Sequence, residues 1–429
     1  MRQSPVPSSL GRCGALRRAA CWLAVGWLGA GSAVKADDWP QFLGPMRTGV
    51  SRESIDATWP AAGPRVRWTR PVGAGFAGPA VVGGKVVLHH RVKGEDVLEC
   101  LEGATGTTIW KSARPSTYRD SFGFDEGPRA VPTVAGGSVY TWGADGVLSR
   151  VTLEDGARRW SVEAAKLLGA DQGFFGMACS PLVTGGVVIV QVGGRDGAGV
   201  VGFEAETGAV RWKATSHEAG YASPVEARLG GKPRVLCFTR EGLVVLDPST
   251  GALGASHGWR SRQHASVNAA TPLVLGEKVF LTSSYDTGAV LLDLSGAEPK
   301  RIWSGDDSLS SHYASVVPRE GLLFGFHGRQ EQGASLRCID AATGKVRWTE
   351  EGLGSGAILL AADRMVVLTE RGELLVAEAS AAGFRPTARA QVLGAGIRAQ
   401  PALADGALFA RDPRKLVCLE LRAVSSGAR

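Results

Sequence analysis

Apolar residues along this chain come in short runs separated by glycine-bearing turns, and the runs recur as near-copies of one another. Cys338 to Trp348 shows the unit in full: an apolar run, then Asp340-Ala341-Ala342-Thr343-Gly344, then a second run ending on tryptophan. A glycine that closes such a turn supplies the positive φ of a hairpin, so the unit predicts two antiparallel strands. Drifted copies are Glu204 to Gly208 before Trp212, Glu102 to Gly106 before Trp110, and Asp155-Gly156 before Trp160. Asp247-Pro248-Ser249-Thr250-Gly251 keeps the turn without the tryptophan, although Trp259 follows nearby. Ahead of each pair stands a second: Pro79 to Leu88 and Pro132 to Tyr140 each read as strand, Gly-Gly turn, strand. Pro181, Pro224 and Pro272 open the next three units, Val316 the sixth, Ile358-Leu359-Leu360 the seventh and Pro401 the eighth. Short strands repeated at about 40 to 50 residues predict an all-β fold, an eight-bladed β-propeller of four-stranded blades. The near-continuous apolar runs suit blades buried between two neighbours, and the recurring tryptophans read as wedges between them.

Val66-Arg67-Trp68 looks like the last strand of a unit with no unit before it, while the eighth stops near Leu421 without a tryptophan-bearing strand. An N-terminal strand that completes the C-terminal blade would remove two open sheet edges at once, so the ring is expected to close there. The chain is expected to divide into a signal peptide (1–36), an irregular lead-in segment (37–63), the propeller (64–424) and a tail (425–429). Arg17-Arg18, the apolar stretch Ala19 to Ala33 and small residues up to Ala36 carry the signal reading. Export to the periplasm or cell surface, with no transmembrane segment after cleavage, is the expectation. The lead-in, with Trp39, Phe42 and Trp59 among prolines and glycines, is expected to pack its aromatics on a propeller face.

Charge narrows the partners. The formal +7 includes five basic residues before Ala36, which leaves about +2 for the rest and gives no reason to invoke nucleic acid. Beyond Ala36 the cysteines are Cys100, Cys179, Cys237, Cys338 and Cys418, an odd set. Cys100, Cys338 and Cys418 fall at one place in three units, as small core residues do, and no spacing suggests a structural metal. No nucleophile elbow, phosphate loop or zinc-protease motif occurs, and the Thr-Gly and Gly-Gly pairs are turns.

The recurring Asp-x-x-Thr-Gly-x-x-x-Trp unit resembles the repeat of the secreted PQQ-like, quinoprotein-type propellers. It covers about Gly63 to Val424, and the lead-in Asp38 to Pro45 is similar to the start of such proteins. That superfamily takes in the quinoprotein alcohol dehydrogenases and the propeller lipoprotein of outer-membrane β-barrel assembly. The dehydrogenases imply a quinone held against adjacent disulfide-bonded cysteines beside a calcium ion. This chain has no adjacent cysteines, no haem-attachment motif and none of the long insertions. The leading expectation is therefore a binding or scaffold module of the cell envelope, with no cofactor. The alternative is a quinone (PQQ)-dependent alcohol or sugar oxidoreductase, with calcium drawn from Asp125-Glu126, Asp306-Asp307 and Asn268.

A propeller's first strands lie nearest its axis, so residues just before each strand-opening proline ring the channel mouth. Three positions before the opener stand Phe76, Arg129, Ala178, Tyr221, Ala269, Tyr313 and Arg398, with Asn268 and His312 one position earlier in their blades. The connections Lys111 to Gly127, Ser161 to Ser180 and Arg260 to Asn268 are the longest, as binding loops tend to be. The ligand-binding candidates are Arg129, Tyr221, His264, Asn268, His312, Tyr313 and Arg398. A carboxylate, quinone or sugar acid suits the two arginines, with His264 or His312 placed to move a proton. An equal alternative has these side chains satisfying backbone groups around a water-filled channel. The partner is then an envelope protein, a glycan or a small acidic ligand.

Overall fold

The computed structural model describes residues 38–422; the expected signal peptide and tail lie outside the described residues. Eight antiparallel sheets follow one another along the chain, their first strands being Ala80–Val82, Thr133–Ala135, Leu182–Thr184, Val225–Leu229, Leu273–Leu275, Val317–Arg319, Gly356–Ala361 and Ala402–Ala404. We number the blades 1 to 8 in that order. Blade 8 supplies only three strands of its own, and Val66–Pro71 is its fourth, pairing with Lys415–Glu420 so that Trp68 stands opposite Cys418. The ring is closed by the N-terminal strand, which leaves neither end of the repeat with an unpaired edge.

The repeat signature is a joint between blades. Three of the wedge tryptophans stand across the last strand pair from a small residue that leaves room for the indole, Cys100 for Trp110, Cys338 for Trp348 and Gly202 for Trp212, while Trp160 and Trp303 face Arg150 and Leu291. The indole N–H then donates to a turn carbonyl of the following blade, as from Trp68 to Gly103 (2.8 Å), Trp110 to Leu153 (2.9 Å) and Trp303 to Ala341 (3.0 Å). The glycine closing that turn lies under the ring. A Cβ on Gly156 would come within 2.4 Å of Trp110, and the backbone there has a φ of +72°. One glycine thus meets two demands, a left-handed turn and close approach by an aromatic face. The turn acid meets a third, since Asp340 Oδ1 accepts from the Thr343 amide (3.0 Å) and hydroxyl (2.8 Å). Blades 4 and 7 hold Ala255 and Ala388 in the tryptophan slot. Beside Ala255, against the blade 5 turn Leu294 to Pro299, a groove of about 240 Å³ remains.

The lead-in does not lie on an outer face. It runs inside the ring of first strands. Trp39 exchanges two backbone hydrogen bonds with Val81 of blade 1, the Val134 amide of blade 2 donates to the Pro40 carbonyl (2.8 Å), and Val50–Ser51 pairs in parallel with Gly356–Ala361 of blade 7. Between these anchors Arg47 is buried at 3% exposure. Its guanidinium donates to the Pro224 carbonyl (2.7 Å), the Ser180 carbonyl (3.2 Å), the Pro181 carbonyl and Gln41 Oε1 (2.9 Å). The segment is a plug, because it gives the inner strands' free edges partners that water would otherwise provide.

Candidate functional site

The connections that enter the first strands meet at one end of the axis, above the plug. All seven residues placed three positions before a strand opener line a single cavity there, of about 190 Å³. Phe42 of the lead-in also lines it, together with Ser180, Ser223 and Thr271 from the layer just below the mouth. The mouth is therefore a pocket walled by rings and backed by the plug, where sequence reasoning expected an opening into a channel.

The two arginines of the mouth do different work. Arg129 is committed to its own loop: it pairs with Asp120 (3.1 Å) and donates to the carbonyls of Gly127 and Asp125 (both 2.9 Å). The Asp120 side chain is shielded from solvent, although its backbone is partly exposed. Its burial pushes the carboxyl pKa up, but the amides of Asp125, Phe122 and Phe124 and the charge on Arg129 outweigh this and hold it below the usual range. Arg398, half-buried, lies over the rings of Phe76 (5.2 Å) and Phe124 (4.8 Å), and has no hydrogen bond or ion pair among the described residues. It is a cation held by aromatic faces, which leaves its donors free.

Tyr221 contributes its ring to the pocket and its hydroxyl to the architecture, accepting from the amides of Phe174 (3.0 Å) and Phe175 (3.1 Å); burial raises its pKa. His312 shares a hydrogen bond with the Tyr285 hydroxyl through Nε2 (2.7 Å), and burial lowers its pKa, so the ring is neutral at pH 7. Its Nδ1, like the Tyr313 hydroxyl, is shut off from water and makes no hydrogen bond of normal geometry, although Gln330 and Ser355 are close enough to influence them. Tyr313 also has its pKa raised by burial.

Two candidates stand elsewhere. Asn268 is buried and turns its amide inward, donating to the carbonyls of Thr239 and Trp259 (both 2.9 Å), so it fastens its loop rather than facing the pocket. His264 is exposed and lines an adjoining cavity of about 350 Å³, with Phe174, Glu218 and Arg240. Sequence reasoning missed the phenylalanines. Phe122 and Phe124 from one long loop meet Phe174 and Phe175 from the next, with ring centroids between 5.1 and 6.3 Å apart. The signal was present in Ser121-Phe122-Gly123-Phe124 and Gly173-Phe174-Phe175-Gly176, since large aromatics in glycine-rich loops have no core of their own to fill.

The acidic residues named for calcium do not converge. Asp125 accepts from the Gly75 (3.0 Å) and Gly127 (2.6 Å) amides, Glu126 pairs with Arg119 (2.8 Å), and Asp306 accepts from the Ser310 hydroxyl (2.6 Å). Among the described residues no group of three or more His, Cys, Asp or Glu side chains is placed to hold a metal ion.

Comparison with known proteins agrees with this architecture. The BamB structure from Moraxella catarrhalis superposes with a TM-score of 0.61 at 16% identity, covering 83% of this chain and 99% of that one. The quinohemoprotein alcohol dehydrogenase from Comamonas testosteroni gives a TM-score of 0.65 at 15% identity, covering 92% of this chain and 82% of that one. The computationally designed Ika8 protein gives 0.57 at 12% identity, covering 82% of this chain and 98% of that one. An assembly factor, an oxidoreductase and a designed protein share one shape, so these likenesses show the fold alone. No curated protein sequence matches the chain. The sequence profile of outer membrane protein assembly factor BamB matches residues 51–173 and 95–350, and this chain belongs to that family.

Proposed function

We propose that the protein is an exported binding module of the cell envelope that takes a small anionic ligand in the pocket at the mouth of its plugged channel. The observation that carries this reading is Arg398, a cation without a hydrogen-bond or ion-pair partner among the described residues, at the wall of an aromatic enclosure. Enclosure by apolar rings makes a charged contact stronger than it would be in water. The family's association with outer-membrane assembly supports an envelope location.

The calcium-held quinone of the related dehydrogenases does not fit these residues. The calcium candidates are spent on backbone amides, an arginine and a serine hydroxyl on separate loops. The pocket, at about 190 Å³, is little larger than the ~150 Å³ cavity that accommodates one benzene ring, so a quinone of three fused rings would extend out through its mouth.

The test is thermal unfolding of the mature protein with gluconate, benzoate, and PQQ plus calcium, in the wild type and in Arg398→Ala. A ligand at a hundred times its Kd stabilises the native state by about 2.7 kcal/mol, which for a chain of this length raises Tm by about 3 °C. Such a rise with an anion, lost in Arg398→Ala, supports the reading. No rise with any anion, or a rise that survives the substitution, overturns it.

A further inference from the structure

The pocket specifies more than charge. Its rings are of two kinds by burial: Phe76, Phe175 and Tyr221 are half-covered parts of the wall, while Phe122 and Phe124 are each 51% exposed at the rim. Exposed phenyl groups that touch one another above a cavity bury more apolar area when a flat apolar body slides beneath them. Arg398 lies against that same rim, its guanidinium over Phe124 at 4.8 Å and over Phe76 at 5.2 Å. Any group meeting its donors therefore sits at the edge of a ring-walled slot.

Other charges at the mouth do not compete for this role. Arg129 is neutralised by Asp120 and tied to two carbonyls of its own loop. Glu331, the acid that lines the pocket, is drawn aside by Arg329 (3.3 Å). His312 is kept neutral by burial, and its Nδ1 and the Tyr313 hydroxyl are buried, so neither offers a charge to an anion. A wall built mainly of aromatic faces with one unpaired guanidinium favours a planar ring bearing a single carboxylate. A sugar acid is less favoured, because Ser180, Ser223, Thr271, Gln330 and Gln400 can meet only some of its hydroxyls and the rest would lose water against rings.

We propose that the mouth pocket binds a single-ring aromatic carboxylate, with the ring beneath the packed phenyl groups of the 116–132 and 164–181 loops and the carboxylate on Arg398. This rests on the anion-binding reading above and narrows it to one chemical class. Volume agrees: about 190 Å³ takes one substituted ring, given that ~150 Å³ holds benzene. Planarity of the guanidinium lets it stack on Phe76 and Phe124 while presenting two parallel N–H donors to a carboxylate, which a lysine in its place would not do.

Calorimetric titration of the mature protein with four probes tests this: benzoate, cyclohexanecarboxylate, benzyl alcohol and gluconate. Benzoate is expected to bind at least about tenfold more tightly than each of the others, a difference of about 1.4 kcal/mol. Arg398→Ala and Arg398→Lys should each weaken benzoate by about tenfold or more, and Phe124→Leu by a smaller factor, with unfolding temperatures unchanged. If gluconate binds through Arg398 and benzoate does not, the ligand class is wrong and the anion-binding reading stands. If none of the anions binds, both are wrong. Benzoate binding that is indifferent to Arg398 and Phe124 places the ring elsewhere and overturns the proposal.

Discussion

Arg47 holds the lead-in inside the ring, and replacing it with methionine keeps the length of the side chain while removing every donor. The guanidinium bonds the carbonyls of Ser180, Pro181 and Pro224, the hydroxyl of Thr133 (3.4 Å) and Gln41 Oε1, which ties blades 2, 3 and 4 to the plug. Burial away from any carboxylate pulls its pKa down to about 9, so it remains charged at pH 7 and has given up solvation to be there. Loss of that solvation cost in the methionine variant offsets part of the damage. Breaking a buried charged contact typically costs about 3–5 kcal/mol, so a net loss of about 3 kcal/mol is expected. Over about 385 described residues, an unfolding entropy of about 2.1 cal/mol/K per residue converts this to a drop in Tm of about 4 °C. Hydrogen exchange supplies the local readout. The Trp39 amide, bonded to the Val81 carbonyl, and the Gly49 amide, bonded to the Leu43 carbonyl, should exchange faster in Arg47→Met. Amides in the outer strands of blade 5 should not. An unchanged Tm with these two amides still protected would refute the view that Arg47 is the lock of the plug.

Two further outcomes follow from the blades. Ala255→Trp should fill the groove between blades 4 and 5, with the indole N–H directed at the Leu294 carbonyl as its equivalents are elsewhere, and raise Tm by about 1–3 °C; a fall in Tm would show that blade 5's longer turn has closed the slot. The second concerns acid. Burial lowers the His89 pKa to about 3, so unfolding takes up a proton and stability is lost as pH falls below 6.5; burial raises the Asp96 pKa to about 6, so folding takes up a proton and stability is gained as pH falls from about 6 towards 3.8. The two slopes oppose each other between pH 6 and 5, each at up to about 1.4 kcal/mol per pH unit. His89→Gln should therefore grow more stable on acidification in denaturant titrations across that window, and Asp96→Asn less stable; parallel curves for the two variants would contradict the assignment.

The propeller was legible because its constraints are local and repeated. Gly156 and its equivalents must take positive φ and must admit an indole, so residue identity at these positions is nearly forced and survives drift elsewhere. The orphan Val66-Arg67-Trp68 revealed ring closure for the same reason, since Trp68 meets Gly103 and Gly106 as Trp110, Trp160, Trp212 and Trp303 meet their turns. The plug was not legible. Arg47 bonds backbone carbonyls more than a hundred residues away, and carbonyls leave no trace in a sequence.

The mouth lies between these cases, and the reason is geometrical. Counting three positions back from each opener located the wall of the pocket, because the first strands fix those positions relative to the axis. The count gave no information about which side chains are free. Arg129 and Arg398 occupy equivalent positions and are chemically alike, yet Asp120 claims one and only phenyl faces hold the other. That difference originates in loop 116–132, whose Asp120 turn is built from its own amides and owes nothing to the repeat. The repeat makes the frame, and the irregular loops decide which of its arginines has donors to offer. Substitutions in the loops should therefore alter binding at the mouth while the blades, joined through tryptophan and glycine on the strand pairs, keep their stability.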